Sequence, residues 1–116
     1  MSENLTIWHN PRCTKSRQTL QLLRDRGYEP SEVDYQKNPP SIGEIKSVLA
    51  MLNITARELM RTGQDIYGEL NLADETSEEK LIEAMFLHPI LIERPVVIHG
   101  DKAALGRPPE SVLAIL

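Results

Sequence analysis

The chain reads as a small α/β domain in which a mixed sheet is interrupted by a run of helices, and three observations predict this. First, the β-favouring run Thr6-Ile7-Trp8 leads through Asn10-Pro11 directly into a helical pattern. Second, three boxes of the form S/T-x-x-E fall in the middle of the chain with no strand pattern between them. Third, a proline-led strand, a turn and a returning strand precede a last helix. The resulting order, βα β ααα ββα, places a helical insertion inside a small sheet. At 116 residues the chain is expected to form a single domain over 1–116.

Leu5 to His9 is the first strand, buried on at least one face. A helix follows from Thr14 or Lys15 to Arg26, with Leu20 and Leu23 inward, Arg17 outward and Gly27 as its stop. Glu32 to Tyr35 is a short second strand, ended by Asn38-Pro39-Pro40. Ser41 and Glu44 open a helix whose inner face carries Ile42, Ile45, Val48, Leu49 and Leu52. Thr55 and Glu58 open a shorter one with Leu59, Met60 and, at its end, Arg61; Gly63 closes it. Thr76 and Glu79 open a third, carrying Leu81, Ile82, Met85 and Phe86 as far as His88-Pro89.

Arg94-Pro95 leads a strand to His99, proline being tolerated at a strand start. His99 to Lys102 is the turn and Ala103 to Gly106 the returning strand. Arg107-Pro108-Pro109-Glu110 starts the last helix, which turns Val112, Leu113 and Ile115 or Leu116 inward. A βαβ start with a cysteine beyond the first strand, and a proline-led strand before a hairpin and helix, describe a thioredoxin-like layout. In that layout the X-Pro bond beside the cysteine loop is often cis, and Arg94-Pro95 is the bond in question.

Composition narrows the function classes. A single cysteine excludes an internal disulfide framework and a cysteine-only metal site. The formal net charge of −4, with no basic block to offset it, argues against nucleic-acid binding. No apolar run approaches the roughly 20 residues of a membrane span. Met1-Ser2-Glu3-Asn4 lacks the basic and apolar regions of a signal peptide, so a cytoplasmic location is expected.

Cys13 is the residue most able to carry chemistry. It lies where a helix begins, so the backbone dipole and free N–H groups favour thiolate, the reactive form. Arg12, Lys15, Arg17 and His9 surround it in sequence. His9 would stabilise the thiolate when protonated or serve as a base when neutral. Ser16 occupies the place of the second cysteine in C-x-x-C, so a redox cycle must borrow its resolving thiol. It can donate to sulfur or help cap the helix. His88 and His99 read as structural or solvated. Arg61, Arg94 and Arg107 stand at element boundaries, and guanidinium groups bind tetrahedral oxyanions with paired donors. Convergence of the three arginines is beyond what spacing can show.

The segments Trp8 to Cys13 with Ser16-Arg17, Asn38-Pro39-Pro40, His88 to Pro95 and Arg107-Pro108 resemble the glutaredoxin-dependent arsenate reductase family, from Leu5 to Leu116. The resemblance implies a thioredoxin-like fold with a helical insertion. It implies Cys13 as nucleophile, His9 as the histidine that lowers the cysteine pKa, Ser16 as the loop serine, and Arg61, Arg94 and Arg107 as oxyanion ligands. The implied reaction is attack of the Cys13 thiolate on arsenate, attachment of glutathione, reduction by glutaredoxin and release of arsenite. Glutathione enters as co-substrate, and no metal or bound cofactor is implied. The chain departs from the family's pattern at Thr14-Lys15, where characterised reductases carry glycine and then threonine.

Two other readings stand beside this one. A glutaredoxin-like thiol reductase acting on another substrate would leave three oxyanion arginines superfluous. A redox-responsive transcriptional regulator of the same fold typically senses through C-x-x-C, and Ser16 removes the partner thiol.

Overall fold

The computed structural model describes residues 5–116, so the reading of Met1-Ser2-Glu3-Asn4 lies outside the described residues. Two compact units emerge: residues 5–38 with Arg94–Leu116, and Pro39–Glu93, the segment expected as a helical insertion.

The first unit holds a four-stranded sheet in the order β2-β1-β3-β4, formed by β1 (Leu5–His9), β2 (Ser31–Asp34), β3 (Val96–His99) and β4 (Lys102–Leu105). β1 runs parallel to β2 and antiparallel to β3, and β3 and β4 form the expected hairpin, so the sheet is mixed. Strand alternation puts Leu5, Ile7 and His9 on one face of β1. Leu5 and Ile7 pack there with Leu20 and Leu23 of helix α1 (Thr14–Asp25), Val97 of β3 and Val112 of the last segment. Full burial of side chains of this size contributes on the order of 2 kcal/mol each, which fixes α1 against the sheet.

α1 ends as its sequence predicts. Gly27 adopts φ +87°, its N–H bonds Arg24 O at 2.9 Å, and Tyr28 N–H bonds Leu23 O at 3.0 Å. This paired closure needs a left-handed residue, which glycine adopts without a Cβ penalty.

The last segment, Pro109–Ile115, is a 3-10 helix and not an α-helix. Val112 is fully buried, whereas Leu113, Ile115 and Leu116 are half-buried. His99, the expected end of the strand, closes β3 and donates from Nδ1 to Ile115 O at 2.6 Å, its ring edge-on to Tyr28.

The second unit is helical. α2 (Ile42–Leu52) and α3 (Ala56–Leu59) each begin with a complete capping box, Ser41 with Glu44 and Thr55 with Glu58. α2 buries Ile45, Val48 and Leu49, while Ile42 and Leu52 are half-buried at its ends. α4 (Asp65–Glu69) was not anticipated: it is one short turn, and its Gly68 lowers helix propensity.

The third expected box is not formed. The cap of α5 (Glu78–Leu87) is Ser77, which accepts from Lys80 N–H, so no acidic side chain reaches back from N3. Glu78 instead accepts from Ala56 N–H at 2.7 Å and Glu79 pairs with Lys46 at 3.0 Å. Phe86, expected inward, is exposed, because Leu81, Ile82, Ala84 and Met85 complete the buried stripe without it.

Candidate active site

Topology alone gathers most of the expected residues at one end of the sheet. Trp8, next to last in β1, pairs with Val96, which opens β3, and Val96 pairs with Leu105, which closes β4. The loop leaving β1 therefore lies at the same sheet end as Arg94-Pro95 and Gly106-Arg107. Because β1, β3 and β4 alternate in direction, the segments that carry residues 13, 94 and 107 meet at one end of the sheet.

Cys13 is the N-cap residue of α1, with extended φ and ψ, and is half-buried. Its N–H bonds Asn10 O at 2.9 Å and its own carbonyl accepts from Arg17 N–H at 3.0 Å. Asn10 shapes the loop further by accepting from Arg12 N–H at its Oδ1, at 3.0 Å. Arg17 turns outward, as expected, and ties the loop down through Pro11 O at 2.9 Å and Thr14 Oγ1 at 3.3 Å. Lys15 is exposed.

Burial pushes the Cys13 thiol up, but the net shift is downward. The opposing causes are the Ser16 N–H, the Arg94 guanidinium, the Lys15 N–H and Arg107. The N–H groups are those an α-helix start leaves without partners, and a thiolate accepts from them.

His9 and Ser16 form a buried pair, Nδ1 to Oγ at 2.6 Å, with the proton's place set by the imidazole tautomer. Asn10 N–H donates to the same Oγ at 3.0 Å. The serine is thus a hub joining the strand end, the loop and α1. Burial holds the His9 pKa below its ordinary value of 6.5, against the pull of Glu32 and Asp34 and with help from Arg24 and Arg17. The cationic charges that lower the Cys13 pKa most belong to Arg94 and Arg107.

Arg94 precedes Pro95 through a cis bond, the bond singled out in the sequence, and the Arg107-Pro108 bond is cis as well. Arg107 is exposed and donates from Nε to Arg94 O at 2.8 Å. Arg94 differs: its Nε and Nη1 are buried and find no hydrogen-bond partner among the described residues. A buried guanidinium donor without an acceptor costs more than a typical hydrogen bond is worth, which makes this the point where an anion is most favoured.

Arg61 belongs to the helical unit. It lies beyond α3 and not at its end, because Met60 leaves the helix to form an antiparallel bridge with Ile92. Arg61 N–H donates to Leu91 O at 2.7 Å, and its guanidinium lies 3.9 Å from the Glu93 carboxylate. With the Gln64 amide oriented oxygen-inward, that oxygen accepts from Arg61 at 2.9 and 3.2 Å.

Among the described residues no group of three or more His, Cys, Asp or Glu side chains could hold a metal ion. No helix of the described chain is long and apolar enough to cross a membrane. What the sheet end offers is a stabilised thiolate beside two guanidinium groups, a setting for nucleophilic attack on an oxyanion.

Known proteins match this chain over nearly all of its length. YfgD, an uncharacterized protein of Escherichia coli K12, is 50% identical over all of this chain and 99% of its own. An arsenate reductase of Haemophilus influenzae is 45% identical over 97% of this chain and 99% of its own. The solved structure of an arsenate reductase from Vibrio cholerae matches with a TM-score of 0.96 at 43% identity, covering both chains completely. The thioredoxin-like fold expected from the layout is therefore present. The profile of the ArsC family matches residues 8–115, from the end of β1 to the last helix, and this chain belongs to that family.

Proposed function

We propose that this protein reduces arsenate to arsenite through an adduct on Cys13, with glutathione and glutaredoxin supplying the electrons. The arsenate reductases it resembles support the substrate. The observation that carries the chemistry is the pair of buried, unpartnered Arg94 donors, Nε and Nη1, on the guanidinium that helps lower the Cys13 thiol pKa.

In this reading Arg94 and Arg107 draw the arsenate dianion to the sheet end, and Arg61 is assigned as the third oxyanion ligand by its matching sequence context. The Cys13 thiolate displaces one arsenate oxygen as water, forming a sulfur–arsenic bond with arsenic still pentavalent. Glutathione displaces a second oxygen as water through its thiol. A glutaredoxin thiolate then attacks the glutathione sulfur and leaves with it as a mixed disulfide. The electron pair of the broken sulfur–arsenic bond stays on arsenic, now trivalent. Water finally displaces the Cys13 thiolate and arsenite departs. Ser16 and His9 act as positioning residues that hold the loop and the start of α1 in register. Because glutathione and glutaredoxin bring the second and third thiols, a single protein cysteine suffices.

A coupled assay with arsenate, glutathione and glutaredoxin tests this directly. Wild type forms arsenite and Cys13→Ser forms none above background; equal output from the two would end the proposal. Arg94→Lys keeps the charge but not the planar donor pair, and raises the KM for arsenate about ten-fold, on the scale of one charge-assisted hydrogen bond.

A further inference from the structure

The buried face of α1 changes character along its length. Leu20 and Leu23 meet the apolar core, whereas the two buried positions nearer Cys13 are Ser16 and Thr19. Ser16 is accounted for by His9 and Asn10. Thr19, fully buried, donates its hydroxyl to Lys15 O at 2.8 Å, a bond inside its own helix. That bond satisfies the hydroxyl and fixes the rotamer with which this β-branched side chain meets Gly106.

Gly106 is a glycine for reasons of space. Gly27 and Gly100 have positive φ and open surroundings, whereas Gly106 lies outside the left-handed region. A Cβ on Gly106 would stand 2.5 Å from Thr19 Oγ1 and 2.6 Å from Pro95 Cγ, about 1 Å inside ordinary van der Waals separation. A glycine of this kind marks the close approach of another part of the chain. Gly106 directly precedes Arg107, and Pro95 directly follows Arg94. Two bonds join these segments into one piece, Gly106 N–H to Pro95 O at 2.9 Å and Arg107 Nε to Arg94 O at 2.8 Å. On the other side, the Thr19 hydroxyl holds Lys15 in the first turn of α1, where the Lys15 and Ser16 N–H groups favour the Cys13 thiolate.

We propose that the Thr19–Gly106 contact is a spacer that sets how far the Cys13 thiol stands from the Arg94–Arg107 pair. Thr19 and Gly106 are positioning residues, one acting through the start of α1 and the other through the two arginines. The inference rests on the reading of this sheet end as a thiolate facing an oxyanion. Nucleophile and anion are held there by different elements, so a reactive separation needs a rigid contact between those elements.

Widening the contact tests the spacer. Gly106→Ala and Thr19→Ile each add carbon to it from one side, and Thr19→Val keeps its shape. In iodoacetamide alkylation the Cys13 midpoint rises in Gly106→Ala and Thr19→Ile and stays at the wild-type value in Thr19→Val. With Arg94→Met in place, Gly106→Ala moves the midpoint less, because part of the shift runs through Arg94. With arsenate, Gly106→Ala lowers kcat about ten-fold or more, as a displacement of about 1 Å can. The KM for arsenate stays within about two-fold, since the arginine segments remain joined. Circular dichroism sets a temperature at which each variant is folded. An unmoved midpoint in Gly106→Ala, or an equal rise with and without Arg94, overturns the spacer. So does a rise in Thr19→Val as large as in Thr19→Ile, and that comparison decides alone if Gly106→Ala does not fold. Wild type that makes no arsenite removes the arsenate reading, while the alkylation arms still decide the spacer.

Discussion

Gly106 is where the site's scaffold is packed most tightly, and Gly106→Ala measures how tightly. A Cβ built on Gly106 would lie 2.5 Å from Thr19 Oγ1, 2.6 Å from Pro95 Cγ and 3.1 Å from Thr19 Cγ2. Neither neighbour can yield cheaply. Thr19 is fully buried, β-branched and tied by its hydroxyl to Lys15 O at 2.8 Å. Pro95 is a closed ring whose carbonyl accepts the Gly106 N–H at 2.9 Å.

Overpacking of this kind costs about 1–3 kcal/mol, and loss of the Thr19 hydrogen bond adds about 1. Reduced freedom of the unfolded chain returns about 0.4–1 kcal/mol. The net expectation is a loss of about 2–3 kcal/mol. For 116 residues, the usual unfolding entropy makes that a drop in Tm of about 10 °C. Urea unfolding at constant m-value gives the free energy and calorimetry the Tm. In a Thr19→Ala background the same substitution should cost at least about 1 kcal/mol less, because two of the three clashes are gone. A Gly106→Ala protein melting within about 2 °C of wild type, or an equal cost in both backgrounds, refutes the packing argument.

Four other outcomes follow from the same structure. Iodoacetamide alkylation of Cys13 should show a midpoint below the ordinary cysteine range, and Arg94→Met should move it upward; an unmoved midpoint would remove Arg94 from the causes. Because the folded pKa is the lower one, thiolate formation adds stability as pH rises from the folded to the unfolded value, an increment that Cys13→Ser lacks. His9 is also lowered in the fold, so its contribution is present above 6.5 and is lost as pH falls through the folded value. Acid unfolding of His9→Gln should therefore be flatter below pH 6.5 than that of wild type, and superimposable curves would contradict a buried neutral imidazole. Arg57 donates to Tyr67 Oη, to Leu72 O at 3.1 Å and to Glu75 O at 2.6 Å. Arg57→Met should cost about 3 kcal/mol and speed amide exchange across 65–75; unchanged exchange there would show that the loop holds itself.

What the sequence alone determined is local. The caps at Ser41 and Thr55, the glycine stop of α1 and the strand periods of β1 and β3 each depend on side chains within a few residues of one another. The cysteine loop belongs with them, since a thiol at a helix start is legible from its immediate neighbours. The third box failed because its acidic residues found partners outside it, at Ala56 and Lys46, which no local pattern records.

Tertiary structure decided the electrostatics. Strand pairing brings Arg94 and Arg107 to the Cys13 end of the sheet, and burial leaves Arg94 without an acceptor while giving Arg107 a backbone carbonyl. Burial likewise lowers His9, a residue equally able by sequence to be a cation. Desolvation depends on the atoms packed around a group, and strand pairing brings those from segments far apart in the sequence.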